Sequence, residues 1–139
     1  AMTTCDLGAF ELARIARVPY STLVRWAERG LLSHSRLENG DRRYTERGAI
    51  QAATIARLRA VHVKGAAMTT ALKLLNSWLD ENGTKGSLAV IDGRPVWVSD
   101  GDKLIDLLTG QLGMTRVFVV NMGQLVATIR ARFVEACSN

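Results

Sequence analysis

The stretch from Pro19 to Tyr44 constrains the fold more than any other part of the chain. Pro19 favours a helix start because its missing N–H would be unpaired there, and Gly30 favours a helix end because glycine tolerates positive φ. Beyond it, Asn39-Gly40 is a strong hairpin signal, and two arginines follow on the returning strand. A short helix followed directly by a basic hairpin predicts a winged helix-turn-helix.

The helix predicted over Tyr20 to Arg29 has two distinct faces. Spacings of three and four residues put Leu23 and Trp26 on an inward face and Arg25 on the outward one. A first helix is predicted over Leu7 to Ala16, with Asp6 as its cap, and Arg17-Val18 forms the turn between the two helices. The first helix is expected to pack behind the second.

The positive charge of the chain is concentrated in its first half. Residues 1–65 hold eleven Lys or Arg against six Asp or Glu, a net of +5, which equals the net charge of the whole chain. Residues 66–139 hold seven of each sign. The excess therefore coincides with the helix-turn-helix pattern, where contacts to DNA phosphates need it.

The same stretch resembles the DNA-binding domain of MerR-type transcription regulators. The blocks that carry the resemblance lie in the family's order and at its separations: Glu11-Leu12-Ala13, Thr22-Leu23, Trp26, Gly30-Leu31-Leu32, Ser33, Ser35, Glu38-Asn39-Gly40 and Arg42-Arg43-Tyr44. The sequence departs from the family at Arg17, where glycine is usual, at Val24-Arg25, which replaces an arginine and an aromatic residue, and at Asp41, which replaces a tyrosine. The resemblance covers about residues 7 to 79 and implies control of transcription initiation.

Several side chains are predicted to contact DNA. Arg25 and Ser21 are best placed for base edges, Tyr20 and Thr22 lie nearer the backbone, and arginines of the wing are expected to hold phosphates or reach the minor groove. The full predicted set is Arg14, Tyr20, Ser21, Thr22, Arg25, Arg36, Arg42, Arg43 and Tyr44.

Two further helices are predicted after the wing. The first runs from Glu46 to about Val63, and Gly65 breaks it. The second runs from Ala66 to about Asp80 and carries an apolar stripe that fits either core packing or a dimer interface. The residues proposed for dimerisation are Leu72, Leu75, Trp78 and Leu79. Asn82 to Gly86 ends this helix early, so the long dimerisation helix of MerR-like regulators is not expected.

The remaining residues predict a small β-β-α-β-α unit. Strands are predicted at 88–91, 96–99 and 116–120, with a hairpin at Asp92-Gly93 and an edge strand marked by Pro95. Helices are predicted at 104–108 and 123–136. The expected fold is therefore α+β, with a winged helix-turn-helix over 1–65, a connecting or dimerisation helix over 66–82, and a small α/β domain over 83–139 for dimerisation or partner binding.

Catalytic and metal chemistry are not indicated. His34 and His62 lack the spacing of zinc ligands or of a catalytic triad, and Asp92, Asp100 and Asp102 occupy turn or cap positions. Neither an enzyme nor a cofactor is expected. Cys5 and Cys137 lie far apart in sequence, which favours two reduced thiols. The absence of a signal peptide pattern or a long apolar run favours a cytoplasmic protein.

Three functions fit these patterns. The first is a sequence-specific regulator that binds double-stranded DNA as a homodimer. The second is a DNA-binding antitoxin, since the order of the C-terminal elements resembles that of some MerR-like proteins described as antitoxins, whose C-terminal unit would mask a partner toxin. The third is a phage excisionase-like factor that bends DNA.

Overall fold

A computed structural model describes residues 5–83, 85–99, 102–103, 106 and 116–138. The chain is an α+β protein, as predicted, and divides into two compact units. The first unit is Ala1–Ala56 with Val126–Asn139, and the second is Arg57–Leu125. This division differs from the boundaries drawn from the sequence, because most of the last helix groups with the N-terminal residues. The roles assigned to the three predicted parts stay predictions.

Eleven elements follow one another along the described residues. They are β1 (Leu7–Gly8), α1 (Ala9–Ala16), α2 (Tyr20–Glu28), β2 (Ser35–Arg36), β3 (Arg42–Tyr44), α3 (Glu46–Ala60), α4 (Ala66–Asp80), β4 (Ser87–Ile91), β5 (Arg94–Val98), β6 (Val117–Asn121) and α5 (Met122–Ser138). Helices α3 and α5 each contribute residues to both units.

The first unit combines helices with a small antiparallel sheet in the order β1-β3-β2. Strand β1 was not predicted: Leu7 pairs with Tyr44 and Gly8 with Arg43, so α1 begins at Ala9 rather than at Leu7. The predicted cap at Asp6 is wrong, because Gly8 occupies the N-cap position and makes no side-chain cap hydrogen bond. The buried residues of this unit include Leu12, Leu23, Trp26, Tyr44, Ile50, Ile55 and Phe133.

The second unit contains α4 and an antiparallel sheet in the order β5-β4-β6. The hairpin predicted at Asp92-Gly93 is confirmed, since both residues have positive φ, 50° and 82°, as a type I′ turn requires. Strand β5, which carries Pro95, is an edge strand as predicted. The ring of Trp78 packs against Trp97, with ring centroids 4.9 Å apart, and Trp78 Nε1 donates to the carbonyl of Lys85 at 3.0 Å.

Glycine is required at position 83, where the chain turns after α4. A Cβ atom at this position would overlap the indole ring of Trp78, so only glycine permits the chain to turn so close to that ring. Of the helix predicted over 104–108, only Asp106 is among the described residues; it is helical, as are Asp102 and Lys103 just before the predicted start. None of the described helices has the length and apolar character needed to cross a membrane.

The cysteines correct the sequence analysis. Cys5 and Cys137, predicted to be two reduced thiols, are joined by a disulfide with their Cα atoms 6.0 Å apart. The prediction was wrong because 132 residues of sequence separation gave no sign that the fold brings the two together. Both belong to the first unit, where the cross-link attaches the segment before β1 to the last turns of α5.

Candidate DNA-binding surface

The predicted recognition helix is α2, which the structure places at Tyr20–Glu28. Pro19 precedes it in an extended conformation, and Gly30 follows it with φ of 76°. Leu23 and Trp26 are buried, while Ser21 and Arg25 are exposed. The two residues predicted to read base edges therefore lie on one solvent-facing side of a helix anchored by its other side.

The turn before α2 takes a left-handed conformation at Arg17, the position where the family usually has glycine. Arg17 has φ 58° and ψ 48°, and the N–H of Val18 donates to the carbonyl of Ala13 at 3.0 Å. A non-glycine residue in this left-handed region costs of order 1 kcal/mol. Arg17 adopts this conformation despite the unfavourable free energy, and its side chain is exposed.

The wing is the hairpin of β2 and β3. The N–H of Leu37 closes its loop by donating to the carbonyl oxygen of Asp41 at 2.8 Å. Gly40 in this loop has a positive φ of 90°. The Asp41 N–H donates to Asn39 Oδ1 at 3.0 Å, and Asn39 Nδ2 donates to the Asp41 carboxylate at 3.2 Å. Asp41, which departs from the family pattern, therefore takes part in folding the loop.

Two predicted phosphate contacts lie directly opposite each other on the wing. Arg36 of β2 pairs with Arg42 of β3, and the first is exposed and the second half-buried. Like charges facing each other across two strands destabilise a hairpin. Such an arrangement is favourable when an anion binds between or beside the two side chains.

Gln51 supports the wing, and the sequence analysis missed it. This α3 residue is 2% exposed. Its Oε1 accepts a hydrogen bond from the backbone N–H of Ser33 at 2.7 Å, and its Nε2 donates to Ser33 Oγ at 3.0 Å. Both hydrogen bonds fix the residue where the chain enters the wing. A glutamine among the alanines and isoleucines of α3 was the available signal.

Arg43 is held by a residue that had been assigned a capping role. Its Nε donates to Asp6 Oδ1 at 3.1 Å, and its Nη2 donates to the Asp6 carbonyl oxygen at 3.1 Å. Arg14, a second predicted contact, pairs with Glu11 at 3.2 Å, and its side chain remains 71% exposed. Arg14 can therefore turn to a phosphate easily, whereas Arg43 must first leave two partner groups.

Tyr44 corrects the predicted contact set. It is fully buried, because it is the β3 residue that pairs with Leu7 of the unpredicted strand β1. Burial raises the pKa of its phenol, while the nearby Arg42 lowers it by a smaller amount. Its hydroxyl has no hydrogen-bond partner among the described residues. Tyr44 is thus a core residue beneath the wing and does not reach DNA in this conformation.

The two remaining predicted contacts lie at the start of α2. Tyr20 is 51% exposed and its ring lies beside Phe10, with centroids 5.5 Å apart. Phe10 is 67% exposed and was not predicted as a site residue. Thr22 is half-buried. The aromatic pair adds an apolar patch to the edge of the surface formed by Ser21 and Arg25.

The residues proposed for dimerisation lie in the second unit. Leu72, Leu75 and Trp78 are buried in the chain itself, which favours the core alternative for these three. Leu79 is half-buried. Dimerisation stays a prediction, and any interface has to use other side chains for most of its area.

His34 and Asp92 each make a hydrogen bond to the backbone. His34 Nδ1 lies 3.0 Å from the carbonyl oxygen of Leu32, and His62 takes a left-handed conformation after α3. Asp92 Oδ1 accepts a hydrogen bond from the backbone N–H of Arg116 at 3.1 Å. In the part of the chain that the structure describes, no group of His, Cys, Asp or Glu could hold a metal ion. Asp100 lies outside the described residues.

Comparison with known proteins supports the resemblance seen in the sequence. Residues 11–44 match the family model described as "MerR family regulatory protein", a segment that runs from α1 through α2 to the end of the wing. A search of curated proteins found no match to the chain.

Proposed function

We propose that this chain, which belongs to the MerR-type regulators through residues 11–44, is a sequence-specific transcription regulator that binds double-stranded DNA as a homodimer. One observation carries the proposal. The exposed side of α2 and the opposed arginines of the wing, Arg36 and Arg42, lie within residues 1–65, whose net charge of +5 equals that of the whole chain. Winged helix-turn-helix proteins place such a helix in the major groove.

The surface divides into two kinds of contact. Arg25 and Ser21 would face base edges, where an arginine discriminates best by donating two hydrogen bonds to one guanine. Arg14, Arg36 and Arg42 would hold phosphates and fix the register of the helix in the groove. No metal or cofactor is needed for either contact, and we place the protein in the cytoplasm, where its DNA would be.

Selection from a pool of random duplexes tests this function. We expect enrichment of one short motif, and binding to the enriched duplex that weakens steeply with salt. If a dimer neutralises ~6 to 10 phosphates, affinity should fall by about 10³ to 10⁵ between 50 and 200 mM salt. Failure to enrich any motif, or affinity that does not change with salt, would contradict the proposal.

The homodimer follows from the small size of one reading unit. A single winged helix reads a short half-site, and paired half-sites about one helical turn apart supply the missing specificity. Edge strand β5 offers a surface for pairing, with Val96 39% exposed. Exposed edges of this kind pair readily with a second strand.

Sedimentation of the full chain and of Val96→Lys tests the interface. We expect a dimer for the unchanged chain and a monomer for Val96→Lys, because a charge on an edge strand opposes pairing. Val134→Lys is the matched control: this α5 residue is 51% exposed and lies in the other unit. A monomeric unchanged chain would exclude the homodimer, and a dimeric Val96→Lys would place the interface elsewhere.

The antitoxin and the excisionase-like factor give different results in the same experiments. An antitoxin would copurify with a small protein in a fixed ratio. An excisionase-like factor would bend a bound duplex without repressing a promoter. Binding to a palindromic motif without a protein partner favours the regulator.

A further inference from the structure

Neither partner of the disulfide between Cys5 and Cys137 lies in the buried core. Both residues are half-buried rather than enclosed. In the cytoplasm, where the proposed function places the chain, thiols are kept reduced and the disulfides that do form are usually transient or redox-sensing. A disulfide outside the buried core of such a protein therefore points to reversible chemistry rather than to a permanent cross-link.

A cavity of about 750 Å³ lies beside the sequence neighbours of both cysteines. Its lining includes Leu7, two residues after Cys5, and Ala136, which precedes Cys137. Three arginines and two glutamates supply its charged groups: Arg14, Arg17, Arg132, Glu11 and Glu135. Arg14 pairs with Glu11, so the other charged groups are two arginines and one glutamate, a net charge of +1. This excess attracts a thiol compound that carries negative charge.

The disulfide is coupled to the wing through one residue. Cys5 is followed by Asp6, whose carboxylate and carbonyl oxygen both accept hydrogen bonds from Arg43. Strand β1, which follows Asp6, has only two residues and so gives weak anchorage by itself. The disulfide to α5 therefore fixes the chain on the N-terminal side of Asp6. Helix α5 is in turn attached to the first unit by Arg132, which donates to the carbonyl oxygen of Ile15 at 3.1 Å.

We propose that Cys5 and Cys137 form a thiol–disulfide exchange site for small anionic thiols of the glutathione class, and that its oxidation weakens DNA binding by holding Asp6 on Arg43. This inference rests on the proposed function, because it adds Arg43 to the phosphate contacts proposed there. On reduction, the segment before β1 loses its attachment to α5, and Arg43 becomes available to a phosphate.

The exchange is balanced in atoms and electrons. The thiolate of one cysteine attacks glutathione disulfide, which gives a mixed disulfide and releases one glutathione thiolate. The thiolate of the second cysteine attacks the protein sulfur of the mixed disulfide and releases the second. The protein loses two electrons and two protons, and one molecule of glutathione disulfide gains them and becomes two molecules of glutathione.

The first experiment measures the exchange itself. The full chain is equilibrated with mixtures of glutathione and glutathione disulfide, and the remaining thiols are alkylated and counted by mass. We expect one reversible transition in which both cysteines change together. A disulfide that stays intact in excess glutathione, or one that never re-forms with glutathione disulfide, would overturn the proposal.

The preference for an anionic thiol has its own test. Reduction by glutathione is compared with reduction by cysteamine, which carries a positive charge, after both rates are corrected for the thiolate fraction. We expect glutathione to react faster, with an advantage that shrinks in Arg17→Ala and at high salt. Equal corrected rates in the unchanged chain would remove the role of the arginines.

The second experiment measures the coupling to DNA. We expect the oxidised chain to bind the selected duplex about two- to fivefold more weakly than the reduced chain, which is the strength of an exposed ion pair. Asp6→Asn should reduce the difference, because it removes the ion pair with Arg43 and keeps the backbone acceptor. Glu38→Gln, which changes the charge of an exposed wing residue by the same amount, should leave the difference unchanged. An undiminished difference in Asp6→Asn, or no difference in the unchanged chain, would overturn the coupling.

A readout without DNA separates this inference from the proposed function. The resonance of the Arg43 Nε–H should move on reduction in the unchanged chain and should not move when Cys5→Ser and Cys137→Ser are combined. A chain that binds no duplex in either state would refute the proposed function while these spectra still decide whether Arg43 is released. An Arg43 resonance that is the same in both redox states would refute the switch.

Discussion

Replacement of Gln51 by leucine tests how the wing is held in place. The side chain makes two hydrogen bonds to Ser33, at 2.7 and 3.0 Å, and is 2% exposed. Leucine has a similar volume, so the substitution removes the hydrogen bonds without opening a large cavity. Ser33 would lose both its hydrogen bonds to Gln51, at the point where the chain enters the wing.

The expected loss of stability can be worked from these two contacts. Each hydrogen bond contributes about 0.5–1.5 kcal/mol, and a buried N–H left unpaired costs about 1–3 kcal/mol more. Ser33 is exposed, so water can reach its N–H and most of the second contribution does not arise. The free energy of unfolding should therefore fall by about 1–3 kcal/mol, measured by urea denaturation.

The same variant should weaken DNA binding without changing specificity. The wing is proposed to contact phosphates, so its displacement lowers affinity for the selected duplex and for random duplexes by similar factors. Thr54→Val is the matched control: this α3 residue is also buried, and its hydroxyl donates to the carbonyl of Ile50 at 2.8 Å within the same helix. Wild-type affinity in Gln51→Leu, or an equal loss in Thr54→Val, would refute the positioning role.

Three further predictions concern the surface itself. Tyr44→Phe should keep full DNA affinity and should stabilise the fold or leave it unchanged, because the lost hydroxyl has no partner among the described residues. A fall in DNA affinity would contradict the buried position of this residue. Burial raises the pKa of Tyr44, so the neutral phenol's contribution to the free energy of unfolding should be complete below about pH 10 and lost as the pH rises further. Alkaline denaturation of the wild type and of Tyr44→Phe measures this loss. Arg25→Ala should reduce discrimination between selected and random duplexes by about 1–3 kcal/mol, whereas Arg42→Ala should weaken binding to both alike. Lys103→Ala, at an exposed position outside the proposed DNA-binding and dimer surfaces, should change neither.

The elements that the sequence predicted are those written in local patterns. Helix α2 was recognisable because Pro19 and Gly30 mark its ends and its apolar residues recur at helical spacing. The hairpin at Asp92-Gly93 was recognisable because few residues accept two successive positive φ angles. Each of these signals involves residues close together in the chain, so no knowledge of the tertiary structure was needed.

The features that the sequence missed depend on distant partners. Asp6 looked like a helix cap because it precedes an apolar helical pattern, but its partner Arg43 lies 37 residues away. Tyr44 looked like a wing residue because it follows two arginines, and only its pairing with Leu7 shows that it is buried. The cysteines illustrate the same limit at the greatest separation.

In the small sheet of the first unit, Arg43 pairs with the N-terminal strand β1, whereas Arg42 does not. Strand β3 lies between β1 and β2, but β1 is so short that its pairing covers only Arg43 and Tyr44. Arg42 lies beyond that pairing and has only Arg36 opposite it. A change at Asp6 or at the disulfide therefore reaches Arg43 directly, while Arg42 stays with the hairpin. If both arginines contact phosphates, the redox state should alter the effect of Arg43→Ala on affinity and leave the effect of Arg42→Ala unchanged.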